Sequence, residues 1–543
     1  MDFIFGTLAT DDLKLVHHRA STSGIQHRFG LQPRDPRPGD AVTLSVWTGT
    51  NFSAEHVACY YTTDGREPLG NRGSANYGAV QHFTPVETIW DNLSWGYSVR
   101  WEATLPPQKR GTFVRYRIGG WSAGDPEVFA DYPDVRRISE SASHAFFQNK
   151  TTVPDYTLGQ EQPGAVFAYH VDEFATPEWV RDAVIYHLLV DRFYPGDGKD
   201  WWQTDNLSVY CGGTLGGVQD KLSYLQDLGI NCIWLSPTFE SPTYHGYDTT
   251  DFRKTEARYG GDVALRSLID AAHRRGMRVL LDMACNHLSD QHPLFQQSLH
   301  DSTSRARSHF TFDNSELGYG AFFGVASMPQ VNLTDDAARD WMVENGRYWL
   351  REYDVDGYRL DYANGPGPNF WTYFNAACKD QKPDCYCFGE IIDAPEVQQR
   401  YIGRLDGCLD FYVNESIRKA FAWRTQSVDD LARAIDRHSQ FFPDTFVMPS
   451  FLDNHDMDRF LHVAQGDTSA LKEAFTFQLT LRNPPVIYYG TEVGLSHKTS
   501  AREGGLEVGR LPMPWDHTQD TSLLSFFADA ICARTSHKAG ELT

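Results

Sequence analysis

The sequence contains no long apolar run. No stretch approaches the roughly 18 uninterrupted apolar residues that a membrane-spanning helix requires, which predicts no membrane partner. Residues 1–12 have neither the basic region nor the apolar core of a signal peptide. We therefore expect a cytoplasmic protein, although a leader removed upstream of this start would leave the same sequence.

Basic residues are scarce. The chain has 49 Lys and Arg against 71 Asp and Glu, which gives a net charge of −22. Nucleic acids and anionic membrane surfaces repel such a protein, so neither is an expected partner. A neutral substrate needs no electrostatic steering and fits this charge.

Cysteine spacing provides no disulfide or metal framework. The nine Cys are odd in number and scattered, and several lie inside apolar strand candidates. Buried, reduced thiols are the expected state. The pair Cys385 and Cys387 has no second Cys or His pair to complete a metal or redox site, so we expect neither.

The first part of the chain has the pattern of an all-β domain. A chain of 543 residues predicts two or three domains. Within residues 1–150, apolar and polar residues alternate in short segments separated by turn-forming residues, which predicts a β-sandwich. Residues 151–178 are predicted to be a linker. The clearest alternating segments are 40–50, 56–65, 97–106 and 112–121.

Residues 179–543 alternate apolar strand candidates with helical segments. Eight such units predict a parallel (β/α)₈ TIM barrel. A doubly wound open sheet is the competing architecture, and the unit count and the lack of a Gly-rich dinucleotide turn favour the barrel. The strand candidates are 182–190, 231–237, 277–285, 355–363, 385–391, 408–413, 445–453 and 485–492.

One connection in the predicted barrel is unusually long. Residues 288–334 separate the third strand from the next helix. Long loops in compact domains usually have a function. We predict a small subdomain here, inserted beside the site.

Acidic residues follow several of the predicted strands. Asp361, Glu390 and Asp456 each end an apolar run, so a barrel would gather them at the C-terminal mouth, where active sites lie. An acidic residue after a strand is often only a helix N-cap. Polar clusters after four different strands favour a site instead. Carboxyl pairs flanking a glycosidic bond are typical of glycoside hydrolysis.

The chain resembles the α-amylase family of glycoside hydrolases. The similarity runs from about Trp179 to Asp516, and the order and spacing of the segments agree with the family. Any one segment alone would be a weak signal. The segments are DAVIYHLLVDRF, GGTLGGVQDKLSYLQDLGINCIWLSP, HGYDTTDF, DMACNH, GYRLDYANG, FGEI, FLDNHD and IYYGTE.

The resemblance implies roles for three carboxyls. Asp361 matches the nucleophile that forms a covalent glycosyl-enzyme, and Glu390 matches the general acid/base. Asp456 matches the third carboxylate, which holds sugar hydroxyls. The reaction would retain configuration, with the two reacting carboxyls roughly 5–5.5 Å apart. Burial and neighbouring anions should raise the pKa of Glu390.

Four further residues match family positions that contact the sugar or the nucleophile. Arg359 lies on the same strand face as Asp361, and its cation should keep that carboxyl ionised at neutral pH. The resemblance implies that His287 and His455 bond the sugar before the cleavage point and that Tyr247 lies under that ring.

Within the family, the chain is most similar to cyclomaltodextrinases, neopullulanases and maltogenic amylases. The similar parts are the N-terminal β-domain, the stretch MPQVN (328–332) and the DYAN segment. The implied substrates are cyclodextrins, pullulan and short maltooligosaccharides, all α-glucans. The implied assembly is a homodimer formed through the N-terminal domain. A transglycosylase on the same sugars is the alternative activity, and a non-catalytic sugar-binding or partner subunit is the alternative from another class.

The chain departs from that group at several positions. Gly365 stands where the group has Glu, Ile391-Ile392-Asp393 replaces a stretch in which Trp is usual, and Tyr362 is bulkier than the usual residue beside the nucleophile. Linkage preference and the balance between hydrolysis and transfer depend on such positions. The residues after Asp516 suffice for a helix but not for the family's C-terminal β-domain, which we expect to be absent.

A calcium site is suggested by some relatives. The loop 192–200 offers Asp197 and Asp200, whose oxygens are ligands that Ca²⁺ prefers. Asn286 matches another family calcium position. Ca²⁺ binding and a solvated turn are the two readings of this loop, and no organic cofactor is expected.

Overall fold

The N-terminal part of the chain forms two antiparallel sheets. The structure, a computed structural model, describes residues 22–131, 164–202 and 206–539, with Leu15, His18 and Thr204; the N-terminal residues 1–12 and residues 151–163 of the predicted linker lie outside these. One sheet has the order β1-β2-β8-β7, and the other has the order β10-β9-β3-β6. The strands are β1 (Ile25–Gln32), β2 (Val42–Thr48), β3 (His56–Thr62), β4 (Leu69–Asn71), β5 (Ser74–Tyr77), β6 (Ala79–His82), β7 (Thr84–Asp91), β8 (Gly96–Leu105), β9 (Thr112–Trp121) and β10 (Val128–Phe129).

The two sheets share one apolar core. In β2 every second residue is buried, as expected when one face packs on a core and the other meets solvent. Leu44 of β2, Val57 of β3 and Ile118 of β9 belong to the same cluster of buried side chains. This arrangement is the sandwich that the alternating pattern predicts.

A further strand lies within the predicted linker. Strand β11 (Phe167–Val171) pairs antiparallel with β9, so the N-terminal sheets extend to Val171. Its apolar residues Phe167, Tyr169 and Val171 join the sandwich core. The sequence pattern missed this strand because it is only five residues long and ordinary loop sequence borders it.

An eight-stranded parallel sheet forms the second part. Its order is β19-β18-β17-β16-β13-β12-β21-β20, which is the order of a (β/α)₈ barrel. Each strand is buried on both faces, because helices cover the outside. The strands are β12 (Ile185–Leu188), β13 (Cys232–Leu235), β16 (Arg278–Met283), β17 (Gly357–Leu360), β18 (Tyr386–Gly389), β19 (Gly407–Cys408), β20 (Ser450–Phe451) and β21 (Pro485–Tyr488).

Backbone bonds beside the last pair of strands close the barrel. The amide of Val447, before β20, donates to the carbonyl of Asp406, before β19, at 2.8 Å. The amide of Asp410, after β19, donates to the carbonyl of Pro449 at 3.0 Å. Hydrogen bonds therefore join the chain on both sides of the two short strands β19 and β20.

Helices alternate with the barrel strands. The predicted helices at 261–276, 335–353 and 428–440 are confirmed within a few residues. No helix in the described part of the chain is long and apolar enough to cross a membrane. The helices are Val190–Phe193, Leu215–Asp220, Leu222–Asp227, Gly261–His273, Pro293–His300, Asp336–Tyr353, Gly367–Gln381, Pro395–Gln398, Phe411–Ile417, Val428–Ser439, Phe460–Val463, Thr468–Thr480, Ala501–Gly504 and Thr521–Ala539.

The predicted sixth strand is much shorter than expected. Only Gly407–Cys408 is strand, and the apolar residues after it begin the helix Phe411–Ile417. Asp410 is the N-cap of this helix, and its carboxylate accepts a bond from the amide of Val413 at 3.0 Å. A capping Asp inside an apolar run thus marks a strand end and a helix start.

The long loop 288–334 is folded onto the end of β16. It contains the helix Pro293–His300 and a turn at Phe322–Gly324. Isolated bridges join His287 to Gln330 and Ala321 to Pro329, so the loop returns beside the strand it left. The predicted inserted subdomain is present. A separate short hairpin, β14 (Phe239–Glu240) with β15 (Asp251–Thr255), follows β13.

The sandwich packs against the barrel. The side chain of Asn369, in the helix after β17, accepts from the amide of Ala168 and donates to the carbonyl of Val166, both at 2.9 Å. The rings of Phe113 and Tyr373 stack with centroids 4.9 Å apart. The sandwich therefore contacts the first turns of the helix that begins just beyond the strand carrying Asp361.

Candidate active site

One arginine joins the acidic residues at the barrel mouth. Nη1 of Arg359 lies 2.8 Å from Oδ1 of Asp361 and 2.8 Å from Oδ1 of Asp282. Nη2 lies 2.8 Å from Oε2 of Glu390. Arg359 is fully buried, so a single guanidinium lies among three carboxyls away from solvent.

Strand register explains this convergence. Asp282 of β16 lies opposite Arg359 of β17, and Leu360 lies opposite Gly389 of β18. Asp361 and Glu390 each come one residue after such a paired position. Because parallel strands end at one edge, their side chains meet at the same mouth. The sequence prediction that these carboxyls converge is therefore met by the geometry.

Asp282 is fully buried at the centre of the polar network. Its Oδ2 accepts from the indole of Trp234 and from the hydroxyl of Tyr247, both at 3.0 Å. Asp282 begins the segment DMACNH, and the sequence analysis gave it no role. Its contacts indicate that it orients Arg359 and Tyr247.

Asp456 is held at the other side of the network. Its Oδ1 accepts from Nη2 of Arg510 at 2.8 Å, and its Oδ2 lies 3.1 Å from Nε2 of His455. The same His455 nitrogen lies 2.6 Å from the hydroxyl of Tyr247, and the two rings stack. The structure thus brings Tyr247, His455 and Asp456 together, and it adds Arg510, which the sequence analysis missed.

Burial controls the protonation of the two reacting carboxyls. Burial and, to a lesser extent, the charges of Asp361 and Asp456 together raise the pKa of Glu390 to about 7 against the opposing effect of Arg359. Burial also raises the pKa of Asp361 to about 7, although Arg359 lowers it. The prediction for Glu390 is confirmed in direction. The sequence predicts that Arg359 keeps Asp361 ionised at neutral pH; Arg359 does lower the pKa of Asp361, but desolvation is the larger effect.

The two predicted sugar-binding histidines are neutral. Burial lowers the pKa of His287 to about 4, and burial followed by the charge of Arg510 lowers the pKa of His455. Nε2 of His287 and Nδ1 of His455 are buried and have no hydrogen-bond partner among the residues that the structure describes. A sugar hydroxyl is a partner of the right chemistry for such atoms.

The predicted calcium ligands lie in different surroundings. Asp197 and Asp200 are exposed, and Nζ of Lys199 lies 3.3 Å from the Asp197 carboxylate, where it competes with a metal ion. Asn286 is buried beside His287. This donor set does not fit a Ca²⁺ cage, which takes six to eight oxygens. Ca²⁺ binding stays a prediction.

One other group of metal-binding side chains occurs in the part of the chain that the structure describes. It consists of Asp458, His462 and His497. The two imidazole rings stack face to face, with centroids 4.2 Å apart. Two imidazoles do not suit Ca²⁺, which prefers oxygen ligands.

The sequence match decides the family. Residues 187–534, more than half of the chain, match the Alpha-amylase family, described as the alpha amylase catalytic domain. The chain belongs to the alpha-amylase family. Members of this family are glycoside hydrolases, and the converging carboxyls lie within the matched residues.

This alpha-amylase family member has relatives with several names. It is 40% identical to Alpha-amylase 2 of Dictyoglomus thermophilum over 542 residues, which span 99% of this chain and 86% of that protein. It is 31% identical to the Intracellular maltogenic amylase of Bacillus subtilis over 383 residues, 68% of this chain and 64% of that protein.

Solved structures agree with the sequence relatives. A structure named Cyclomaltodextrinase aligns with a TM-score of 0.63 and 25% identity, covering 95% of this chain and 85% of that one. The cyclic alpha-maltosyl-(1→6)-maltose hydrolase of Arthrobacter globiformis aligns with a TM-score of 0.62 and 26% identity, covering 67% and 85%. The first alignment covers the N-terminal sheets as well as the barrel.

Gly365 is a departure that the structure explains locally. A Cβ added at this position would lie 2.1 Å from Oδ1 of Asn286 and 2.9 Å from Cδ1 of Tyr362. These contacts are closer than side chains tolerate, so one neighbour would have to move. Glycine therefore allows Asn286 and Tyr362 to occupy the space that a larger residue would fill.

We expect the Gly365→Ala variant to lose activity while keeping its fold. Displacing Tyr362 disturbs the backbone beside Asp361, and about tenfold lower kcat/KM is the expected result for a misplacement of this size. Steady-state kinetics with circular dichroism would measure both effects. The matched control is Gly216→Ala in the helix Leu215–Asp220, because a Cβ there meets only Oγ1 of Thr214, at an ordinary contact distance of 3.6 Å. Unchanged kinetics in Gly365→Ala would contradict the tight fit.

Proposed function

We propose that this protein is a retaining hydrolase of α-glucosidic bonds in cyclodextrins, pullulan or short maltooligosaccharides. The observation that carries the proposal is that the guanidinium of Arg359 contacts both Asp361 and Glu390 and so holds these two carboxyls close together. Retaining glycosidases need such a close pair, because one carboxyl attacks while the other protonates.

In the first step, Glu390 donates its proton to the glycosidic oxygen, and the bond between that oxygen and the anomeric carbon breaks. An oxygen of Asp361 bonds to the same carbon from the opposite face, forming a glycosyl-enzyme. In the second step, water gives a proton to Glu390 and its oxygen displaces Asp361. Configuration is inverted twice and so retained.

Asp456 and the histidines act by holding the sugar. The Asp456 carboxylate, fixed by Arg510 and His455, remains partly exposed at 19% and can accept bonds from sugar hydroxyls. His287 and His455 supply unpartnered ring nitrogens. Tyr247 lies beneath these histidines and forms part of the floor of the active site. These contacts would strengthen as charge develops at the anomeric carbon.

We expect a narrow bell-shaped pH profile. Activity requires one proton on the Asp361–Glu390 pair, and the pKa of each carboxyl is about 7. Below this value a second proton blocks attack, and above it no proton remains for the leaving group. Measuring kcat/KM from pH 5 to pH 9 should show a maximum near neutral pH. A flat plateau across this range would contradict the shared proton.

Relatives support the proposed substrates. Several sequence relatives are named cyclomaltodextrinase, neopullulanase or maltogenic amylase, and at 30–32% identity they cover 69–75% of this chain. The test is release of reducing sugar from β-cyclodextrin, pullulan, starch and isomaltose-type sugars, followed by chromatography of products. Fastest cleavage of β-cyclodextrin or pullulan is the expected result. Fastest cleavage of starch would overturn the substrate assignment, and no cleavage would favour the binding-subunit alternative.

We further propose a cytoplasmic homodimer. A relative named an intracellular maltogenic amylase supports the compartment. Exposed apolar side chains on the β7–β8 hairpin, including Trp90, Trp95 and Tyr97, offer the N-terminal domain a contact surface. Light scattering of the purified protein would give twice the chain mass if the dimer forms.

A further inference from the structure

Two histidines and an aspartate lie together between the segments that follow the last two barrel strands. Asp458 and His462 come after β20, and His497 comes after β21. One nitrogen of each imidazole and a carboxylate oxygen of Asp458 lie within 4.8 Å of one another. We call these three side chains the His–His–Asp group. Neither the proposed mechanism nor the sugar contacts involve this group.

Backbone carbonyls fix the tautomer of both imidazole rings. Nδ1 of His462 lies 2.7 Å from the carbonyl oxygen of His497, and Nδ1 of His497 lies 2.7 Å from that of Thr499. A carbonyl oxygen only accepts hydrogen bonds, so both Nδ1 atoms carry a proton. In the neutral form of each ring, Nε2 then carries the lone pair. Metal-binding histidines typically donate their other ring N–H to a backbone carbonyl in this way.

Two hydrogen-bond acceptors face each other inside the group. Nε2 of His497 accepts from the amide of Arg459 at 3.0 Å, so this nitrogen has no proton to donate. The same nitrogen lies 3.5 Å from Oδ1 of Asp458. That oxygen accepts from the amide of Ala501 at 2.6 Å, as an ionised carboxylate does. A lone pair therefore faces a negative charge at close range, and a cation is the partner that suits both atoms.

The separation of these two atoms fits a shared metal ion. Zn²⁺ binds imidazole nitrogen and carboxylate oxygen at about 2.0–2.2 Å, so two ligands of a tetrahedral Zn²⁺ lie about 3.4 Å apart. The nitrogen of His497 and the oxygen of Asp458 already lie 3.5 Å apart. The ring of His462 stacks on that of His497, with centroids 4.2 Å apart, and can supply a third ligand. Completing the set requires the widest pair of ligand atoms to approach by at most about 1.4 Å.

We propose that the His–His–Asp group binds one divalent transition-metal ion of the Zn²⁺ class. Two imidazoles and one carboxylate suit such an ion, whereas Ca²⁺ and Mg²⁺ prefer sets of oxygen ligands. Water takes the fourth position of the tetrahedron. The inference does not rest on the proposed function, because no step of glycosidic cleavage involves this ion.

Arg459 limits the affinity of the site. An incoming ion replaces the hydrogen bond that the amide of Arg459 gives to His497. The guanidinium of Arg459 also repels a cation, although it is held by the carbonyls of Tyr489 and Gly509, at 2.8 Å and 3.0 Å. We therefore expect weaker binding than in a structural zinc site closed by four protein ligands.

The bound ion would link the segments after two barrel strands. Asp458 lies two residues after Asp456, and His497 belongs to the segment that follows the next strand along the chain. The ion would restrain the segment that carries Asp456. Because this geometry exists only in the folded protein, binding should stabilise the native state in proportion to the metal concentration.

Equilibrium dialysis of the full chain against Zn²⁺, with bound metal measured by mass spectrometry, tests the proposal. We expect one ion more in the unaltered protein than in His462→Gln or His497→Gln. Each variant should bind Zn²⁺ at least about tenfold more weakly, since even the loss of a residue that orients a metal ligand costs 10–100-fold. Asp458→Asn should weaken binding similarly, while its amide oxygen can still accept from Ala501. Co²⁺ in the same site should show the intense visible absorption of tetrahedral coordination.

Two matched controls separate this site from adventitious binding. His517→Gln removes an exposed histidine, and Cys532→Ser removes an exposed thiol that can also bind Zn²⁺. Both controls should keep the affinity of the unaltered protein. Zn²⁺ should raise the melting temperature of the unaltered protein and of both controls, but not that of the site variants.

Equal Zn²⁺ affinity in the unaltered protein and the histidine variants would overturn the inference. So would tighter binding of Ca²⁺ than of Zn²⁺ at the group. If either histidine variant fails to fold, Asp458→Asn gives the decisive comparison. All of these measurements are independent of glucan cleavage, so their failure leaves the proposed function untouched.

Discussion

Asp361→Asn should abolish turnover while the protein stays folded. An amide cannot form the glycosyl ester, so kcat should fall by about 10⁴-fold or more on every substrate that the protein cleaves. Release of reducing sugar over long incubation would measure the residual rate. Residual activity above about one per cent would contradict the assignment of the nucleophile.

The same variant should gain stability at alkaline pH. The folded pKa of Asp361, about 7, lies above the unfolded value. The stability that this carboxyl contributes to the native protein is therefore lost as the pH rises through 7. Asn has no charge to bury. The melting temperature of the variant should exceed that of the unaltered protein by a few degrees at pH 8 and match it near pH 4. The exposed Asp340→Asn serves as the control and should change neither rate nor melting.

Arg359→Met should damage both activity and stability. Asp282, Asp361 and Glu390 would lose their shared cation inside a buried site. Removing one partner of a buried ion pair costs about 3–5 kcal/mol. Activity at neutral pH should fall by at least about 10³-fold, because the carboxyl pair would then keep both protons.

The pH dependence separates this explanation from simple cavity formation. Without Arg359, the folded pKa values of the three carboxyls rise further above the unfolded ones. The added destabilisation is absent below about pH 4 and grows as the pH rises past 7. Arg359→Lys keeps a charge but not the fork that spans Asp361 and Glu390, so it should recover stability more than activity. Equal destabilisation of Arg359→Met at pH 4 and pH 8 would contradict the charge argument.

The barrel could be predicted because its strands are buried on both faces. Such strands appear as unbroken apolar runs, and β12, β13 and β16 lie inside the predicted segments. Asp361 and Glu390 could be predicted because they directly follow two other strands of this kind, β17 and β18. The prediction of the sixth strand failed because Asp410, which lies inside the apolar run 408–413, caps a helix.

Other parts of the site cannot be recognised from the local amino-acid sequence. Arg510 lies in a stretch without helical or strand periodicity, and only the tertiary fold brings it to Asp456. The left-handed backbone of Tyr362 also has no sequence signature, since aromatic residues disfavour it. The pKa of Asp361 depends on burial as well as on its charged neighbour, and a motif reveals only the neighbour.

The bonds between Asn369 and strand β11 have an evolutionary consequence. They tie the backbone of the sandwich to the helix that begins a few residues after Asp361. A mutation on the sandwich can therefore reach the nucleophile by moving this helix, without any change in the barrel's own residues. We expect exchange of sandwiches between homologues to succeed only when the matching helix is exchanged with them.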